Sequence, residues 1–123
     1  MNGLRITEAV KQFGITAKTL RYYERVGLLA SERVENNYRA YNESEVERIK
    51  QILILRKMQI SIKDIIRIYE NEDMSTVVEV FVNRLNSIDE EVNALAELRR
   101  ITNGFLQTIK KNGIKKISAL PLL

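Results

Sequence analysis

The stretch that decides the fold is "TLRYYERVGLL", residues 19–29. It places two arginines and two adjacent tyrosines on a segment with helical spacing, then breaks at Gly27. A helix buried on all sides has no use for Arg21 and Arg25, and a solvated helix has none for Tyr22 beside Tyr23. Spacing sorts the residues. Lys18, Arg21, Tyr22 and Arg25 recur at i, i+3, i+4 and i+7 and share one helix face, while Leu20 points to the opposite, core side. The predicted helix runs from Thr16 to Val26, with Gly27 placed for the left-handed conformation that ends helices.

Upstream, "TEAVKQF" (7–13) predicts a helix with Thr7 as N-cap and a stop at Gly14. Only "GI" separates the two helices, which is the spacing of a helix-turn-helix. Downstream, "LLASERVENNYRAYN" (28–42) carries Leu, Val and Tyr toward its ends and Asn36-Asn37 in its middle. Asparagine tolerates positive φ, so two short strands at about 30–34 and 38–41 join in a tight hairpin. Strand alternation puts Arg39 and Tyr41 on one face and Tyr38 on the other.

Asn42 opens the next helix in "NESE", an N-cap with Glu45 at the third helical position, close to a capping box. Val46, Ile49, Ile52 and Leu53 face a core. "SIKD" (61–64) repeats the signal, and Ile62, Ile65, Ile66 and Tyr69 make one apolar face. Residues 1–73 therefore form a compact winged helix-turn-helix domain, in a mainly α fold.

After "NEDMS", residues 75–112 hold no proline and one glycine, Gly104. Such a helix is roughly 55 Å long. Phe81, Leu85, Ile88, Val92 and Leu95 alternate four- and three-residue steps, the seam of a coiled coil. A three-residue step then shifts the phase, and Leu98, Ile101, Phe105 and Ile109 continue the stripe. Gly104 weakens the helix by about 1 kcal/mol relative to alanine. The plainer reading is a helix that folds back on its own domain, but a helix this long overshoots so small a partner. Residues 74–112 are thus a dimerisation helix. Gly113 ends it, and "IKKISALPLL" (114–123) is too apolar for a free tail. It either folds back on the dimer or starts a further, effector domain outside this chain.

Composition narrows the function. The chain of 123 residues has no cysteine and no histidine. That excludes disulfides, thiolate metal sites, cysteine nucleophiles and histidine acid–base chemistry, and no cofactor is expected. Net charge is +4, with 13 basic and 9 acidic residues up to position 70. The basic surplus sits where a nucleic-acid partner would be drawn by phosphate attraction. There is no run of about 18 apolar residues and no signal pattern, so the chain is expected to be cytoplasmic with no membrane partner.

The basic and phenolic stripe suits a major groove and its flanking phosphates. Arginine forks to guanine O6/N7 or to phosphate, and a tyrosine hydroxyl donates to a phosphate oxygen. The plainer reading is a solvated charged face with the tyrosines half-buried. The hairpin adds Arg39, able to reach the backbone or minor groove, or simply an exposed arginine. Lys63, in the first turn of the helix that Ser61 opens, is a weaker phosphate anchor or a bystander.

"ITEAVKQFGITAKTLRYYERVGLL" (6–29) and "NNYRAYNESEVERIKQILILRKMQISIKDI" (36–65) together resemble the DNA-binding domain of the MerR family of bacterial transcription regulators. The resemblance covers residues 4–70, and its specific marks are TLRYYE-x-x-GLL and the wing motif YR-x-Y. It implies a homodimer joined by an antiparallel coiled coil, with two recognition helices in successive major grooves of a pseudo-palindromic promoter. It also implies bending and untwisting of that DNA so that RNA polymerase can engage. Carried over by position, the DNA contacts are Thr16, Lys18, Thr19, Arg21, Tyr22, Tyr23 and Arg39, with Tyr38 and Lys63 secondary. Many relatives have glycine where this wing turn has Asn37. The missing cysteines argue against metal and redox sensing and leave the small-molecule branch, with the inducer unknown. From another class, a coiled-coil interaction module or anti-activator would use the same parts without sequence-specific DNA binding.

Overall fold

The computed structural model describes residues 3–119. Of the apolar tail residues, Leu120, Leu122 and Leu123 lie outside the described residues. The elements in chain order are β1 (Leu4–Arg5), α1 (Ile6–Phe13), α2 (Ala17–Arg25), β2 (Glu32–Arg33), β3 (Arg39–Tyr41), α3 (Glu43–Lys57), α4 (Ile62–Asn71) and α5 (Met74–Asn112). The chain divides into two compact units, Met1–Val80 and Phe81–Leu123.

In the first unit, helix ends follow local chemistry. Thr16 Oγ1 accepts from Thr19 N–H (3.0 Å), Asn42 Oδ1 from Glu45 N–H (3.0 Å) and Ser61 Oγ from Asp64 N–H (3.1 Å). Each satisfies a first-turn donor that the helix itself cannot. Thr7 does not cap α1. The N-cap lies two residues earlier, at Arg5, and the Glu8 carboxylate accepts from Arg5 N–H at 3.0 Å. The reason is β1, which fixes Leu4 and Arg5 as extended chain up to the helix start.

β1 was not expected. It pairs antiparallel with β3 (Leu4↔Tyr41, Arg5↔Ala40), and β2 pairs with the other edge of β3 (Glu32↔Ala40, Arg33↔Arg39). The hairpin is therefore part of a three-stranded sheet in the order β1-β3-β2. Its turn is a short 3₁₀ segment, Glu35–Asn37, in which Asn36 takes φ +61°, the left-handed conformation that asparagine tolerates. β2 is shorter than the predicted strand, because the chain turns as soon as Val34 N–H has bonded to Tyr38 C=O (2.9 Å).

The core gathers Ala9, Ile15, Leu20, Tyr23, Leu28, Leu29, Ala40, Tyr41, Ile49, Ile52, Leu55, Ile60, Ile65 and Val80. Val80 brings the first turns of α5 into this unit, and Arg67 ties them to α4 by bonding both Asp64 (3.1 Å) and Glu79 (3.0 Å). At the start of α5 the Asp73 carboxylate accepts from Ser75 N–H (2.9 Å), which holds it below the usual carboxylate range. In the second unit α5 runs without a break through Gly104 and ends before Gly113, at φ +63°.

Candidate nucleic-acid interface

The helix-turn-helix is set by one glycine and two small contacts. Gly14 takes φ +63° and ends α1, and Ala9, Ile15 and Leu20 on either side of the turn are all buried. Substituting a side chain there would strain the backbone. At the far end of α2, Leu28 N–H bonds to Tyr23 C=O (2.9 Å) and Gly27 takes φ +85°. The exposed face of α2 is thereby fixed.

That face carries Lys18, Arg21, Tyr22 and Arg25, all exposed, with Tyr22 at 37%. The Arg25 guanidinium lies 5.6 Å from the Tyr22 ring centre, a cation–π pair that orders both on the surface. Thr16 is exposed and Thr19 partly so, their hydroxyls 2.8 Å apart at the N-terminus of α2. Tyr23 departs from the group. It is only 6% exposed, in the core with Leu20, and burial raises its phenol above the ordinary value, partly offset by the Arg56 guanidinium beside it.

The sheet supplies the second element. Arg39 and Tyr41 do share a face, and what they meet there is Glu24 of α2. Tyr41 Oη donates to Glu24 Oε2 (2.8 Å), and Arg39 Nη1 lies 3.6 Å from the same oxygen. Ser31 Oγ donates to Glu24 Oε1 (2.5 Å). The Tyr41 phenol is pushed far up, first by burial and then by the Glu24 carboxylate that accepts its hydrogen bond. Arg39 keeps 32% of its side chain exposed, so it is half-engaged within the chain. Tyr38 is 52% exposed and stands under the Arg5 guanidinium, 5.0 Å from its ring centre. Lys63 is exposed in the first turn of α4, next to Asp64, whose carboxylate Arg67 holds.

Three participants escaped the sequence. Arg5 sits on a two-residue strand too short to show a period. Arg56 acts through a contact between α2 and α3 that no local pattern announces. Glu24 is the one acid on a helix read for its cations. Its signal was the shared face of Arg39 and Tyr41, which calls for an acceptor. Among the described residues, no group of three or more His, Cys, Asp or Glu converges as a metal site. Among the described residues, no helix is long and apolar enough to cross a membrane.

A capped helix-turn-helix with a cationic, phenolic outer face and an adjoining sheet defines a DNA-binding transcription regulator of the winged type. Residues 4–72 match the model of the MerR HTH family regulatory protein, and the chain belongs to that family. It is 32% identical over 102 residues to the HTH-type transcriptional regulator HmrR of Rhizobium leguminosarum bv. viciae, covering 79% of each chain. It is also 32% identical over 96 residues to the nodulation protein NolA of Bradyrhizobium sp. (strain NC92), covering 77% of this chain but 40% of NolA. Among solved structures, the EcmrR–DNA complex in EcmrR-RPo is 28% identical with a TM-score of 0.73. That match covers 89% of this chain and 41% of EcmrR. The chain thus spans less than half the length of NolA and EcmrR.

Proposed function

We propose that this regulator acts as a homodimer on a pseudo-palindromic promoter duplex, with α2 of each copy in the major groove. The observation that carries the reading is the exposed stripe Lys18, Arg21, Tyr22 and Arg25, backed by Leu20 and Tyr23 facing the other way. Thr16 and Thr19 stand at the N-terminal end of the same helix, where backbone N–H groups favour phosphate. Arg39 and Tyr38 extend the contact from the sheet, and Lys63 adds a more distant cation. Tyr23 contributes by packing α2 in place rather than by touching DNA. The likeness to EcmrR, solved as a DNA complex, supports duplex DNA as the ligand.

The seam on α5 joins the two copies. Leu85, Val92, Leu95, Leu98 and Ile101 are all exposed in the single chain, and Phe81, Ile88, Phe105 and Ile109 partly so. An antiparallel coiled coil of two α5 helices would cover them. By family resemblance the bound dimer bends and untwists the promoter so that RNA polymerase can engage it, in the cytoplasm and at the nucleoid. No enzymatic role is assigned.

The test is titration of a duplex promoter fragment at several salt concentrations, with footprinting. A protected palindrome, and an affinity falling steeply with salt, are expected. An affinity independent of salt, or no protected palindrome, overturns the reading.

A further inference from the structure

Glu24 is the only acid on α2, set among Lys18, Arg21 and Arg25 on the helix that would lie against phosphates. A carboxylate there opposes binding by charge repulsion, so its presence needs a physical reason. It is not a solvated bystander, because only 17% of its side chain is exposed. Both oxygens are occupied: Ser31 Oγ donates to Oε1 (2.5 Å), Tyr41 Oη donates to Oε2 (2.8 Å), and Arg39 Nη1 is 3.6 Å from Oε2. These partners come from the loop after α2 and from β3, so a single carboxylate gathers the recognition helix, its exit loop and the sheet.

We infer that Glu24 is a positioning and specificity-determining residue, which locks the wing to the recognition helix and holds Arg39 back from indiscriminate phosphate contact. The inference rests on the DNA-binding reading given above. Wing and helix then engage one half-site as a rigid pair in a single register. A sequence that suits the helix but misplaces the wing is rejected, because the wing cannot move to suit it. Restraining Arg39 also trims the sequence-independent part of the affinity, which scales with the number of phosphates neutralised.

The test compares wild type, Glu24→Gln, Arg39→Gln and the double variant on a promoter duplex and on a scrambled duplex. Each is titrated over a range of salt, with the unfolding midpoint measured alongside. Glu24→Gln removes the charge that restrains Arg39 and keeps the shape. It should bind scrambled DNA more tightly and steepen the log–log salt slope by roughly 0.9, one extra phosphate. The promoter-to-scrambled ratio should fall about tenfold, the worth of one hydrogen bond to a charged group. Arg39→Gln should lower that ratio too, whereas a mere phosphate contact would weaken both duplexes equally. The double variant should be no less discriminating than the singles, since each breaks the same link. An unchanged ratio and slope in Glu24→Gln overturns the inference, and so does a loss that tracks the unfolding midpoint with the slope unchanged. Should Glu24→Gln fail to fold, an unchanged ratio in Arg39→Gln overturns it. Absence of specific binding by wild type would instead remove the DNA reading itself.

Discussion

The two units of this chain handle apolar residues in opposite ways. Every fully buried apolar residue of the described chain lies at or before Val80. Past that point Leu85, Val92, Leu95, Leu98, Ile101 and Leu106 stay exposed, Leu95 at 65%. A first unit that closes its own core can fold as a single chain, whereas a stripe left open along a helix requires a partner. The difference teaches where each unit's apolar area goes: inside the chain up to Val80, and beyond it onto an open stripe that the proposed seam would cover.

Paired leucine substitutions can break this comparison with the largest effect. Leu20 is fully buried, so Leu20→Ala should destabilise the first unit by about 2–5 kcal/mol, read from the urea midpoint at any protein concentration. Leu95→Ala should leave that midpoint in place and weaken self-association by about 3–6 kcal/mol, the worth of one buried leucine in each of two copies. Light scattering across a dilution series reads the second effect. A monomer mass for wild type at micromolar concentration would contradict the seam, and an equal fall of the urea midpoint in both variants would erase the distinction between units.

A smaller effect sharpens the division of labour inside the first unit. Arg21→Ala should cost about 1–3 kcal/mol of promoter affinity and flatten the ranking among promoter variants. Lys63→Ala should cost less and weaken all sequences alike, because a lone lysine beside a paired Asp64 offers phosphate contact without base readout. Competition titrations on single-base promoter variants read both. Equal losses on every sequence for Arg21→Ala would remove it from base recognition.

How far the sequence could be read follows the range of the forces involved. Caps and periodic faces act over three or four residues, so Asn42 and Ser61 and the apolar face of α4 stood as expected. The stripe on α2 and the shared face of Arg39 and Tyr41 were legible for the same reason. β1 was not, since two residues carry no period and Leu4 and Arg5 are extended because β3 pairs with them. Thr7 lost its capping role to that pairing. Tyr23 was ambiguous by spacing, and only the packing of α2 turns it inward, beside Arg56. Glu24 illustrates the limit best. Its partners lie 7, 15 and 17 residues away, so nothing local distinguishes it from a solvated glutamate.

The smallest effect is absent at neutral pH and confined to one unit. All five tyrosines lie in the first unit, none beyond Tyr69. Burial raises the phenols of Tyr23, Tyr41 and Tyr69 above the ordinary value of 10.0, Tyr41 most strongly and with help from Glu24. An unfolded chain ionises these groups near that ordinary value, while the folded unit keeps them protonated. The unfolded state therefore binds fewer protons above it, and stability must fall as pH rises. Below it the contribution is fully present and flat. Alkaline titration should thus show the three phenols ionising together with loss of the first unit's tertiary structure, read by tyrosinate absorbance against near-ultraviolet circular dichroism. Tyr41→Phe should shift that loss to higher pH, because it removes the most strongly raised of the three. Its cost at neutral pH is one hydrogen bond to the Glu24 carboxylate, about 1–3 kcal/mol, with Ser31 and Arg39 still on that carboxylate. Ionisation of all five tyrosines with tertiary structure intact would show that the core does not resist it.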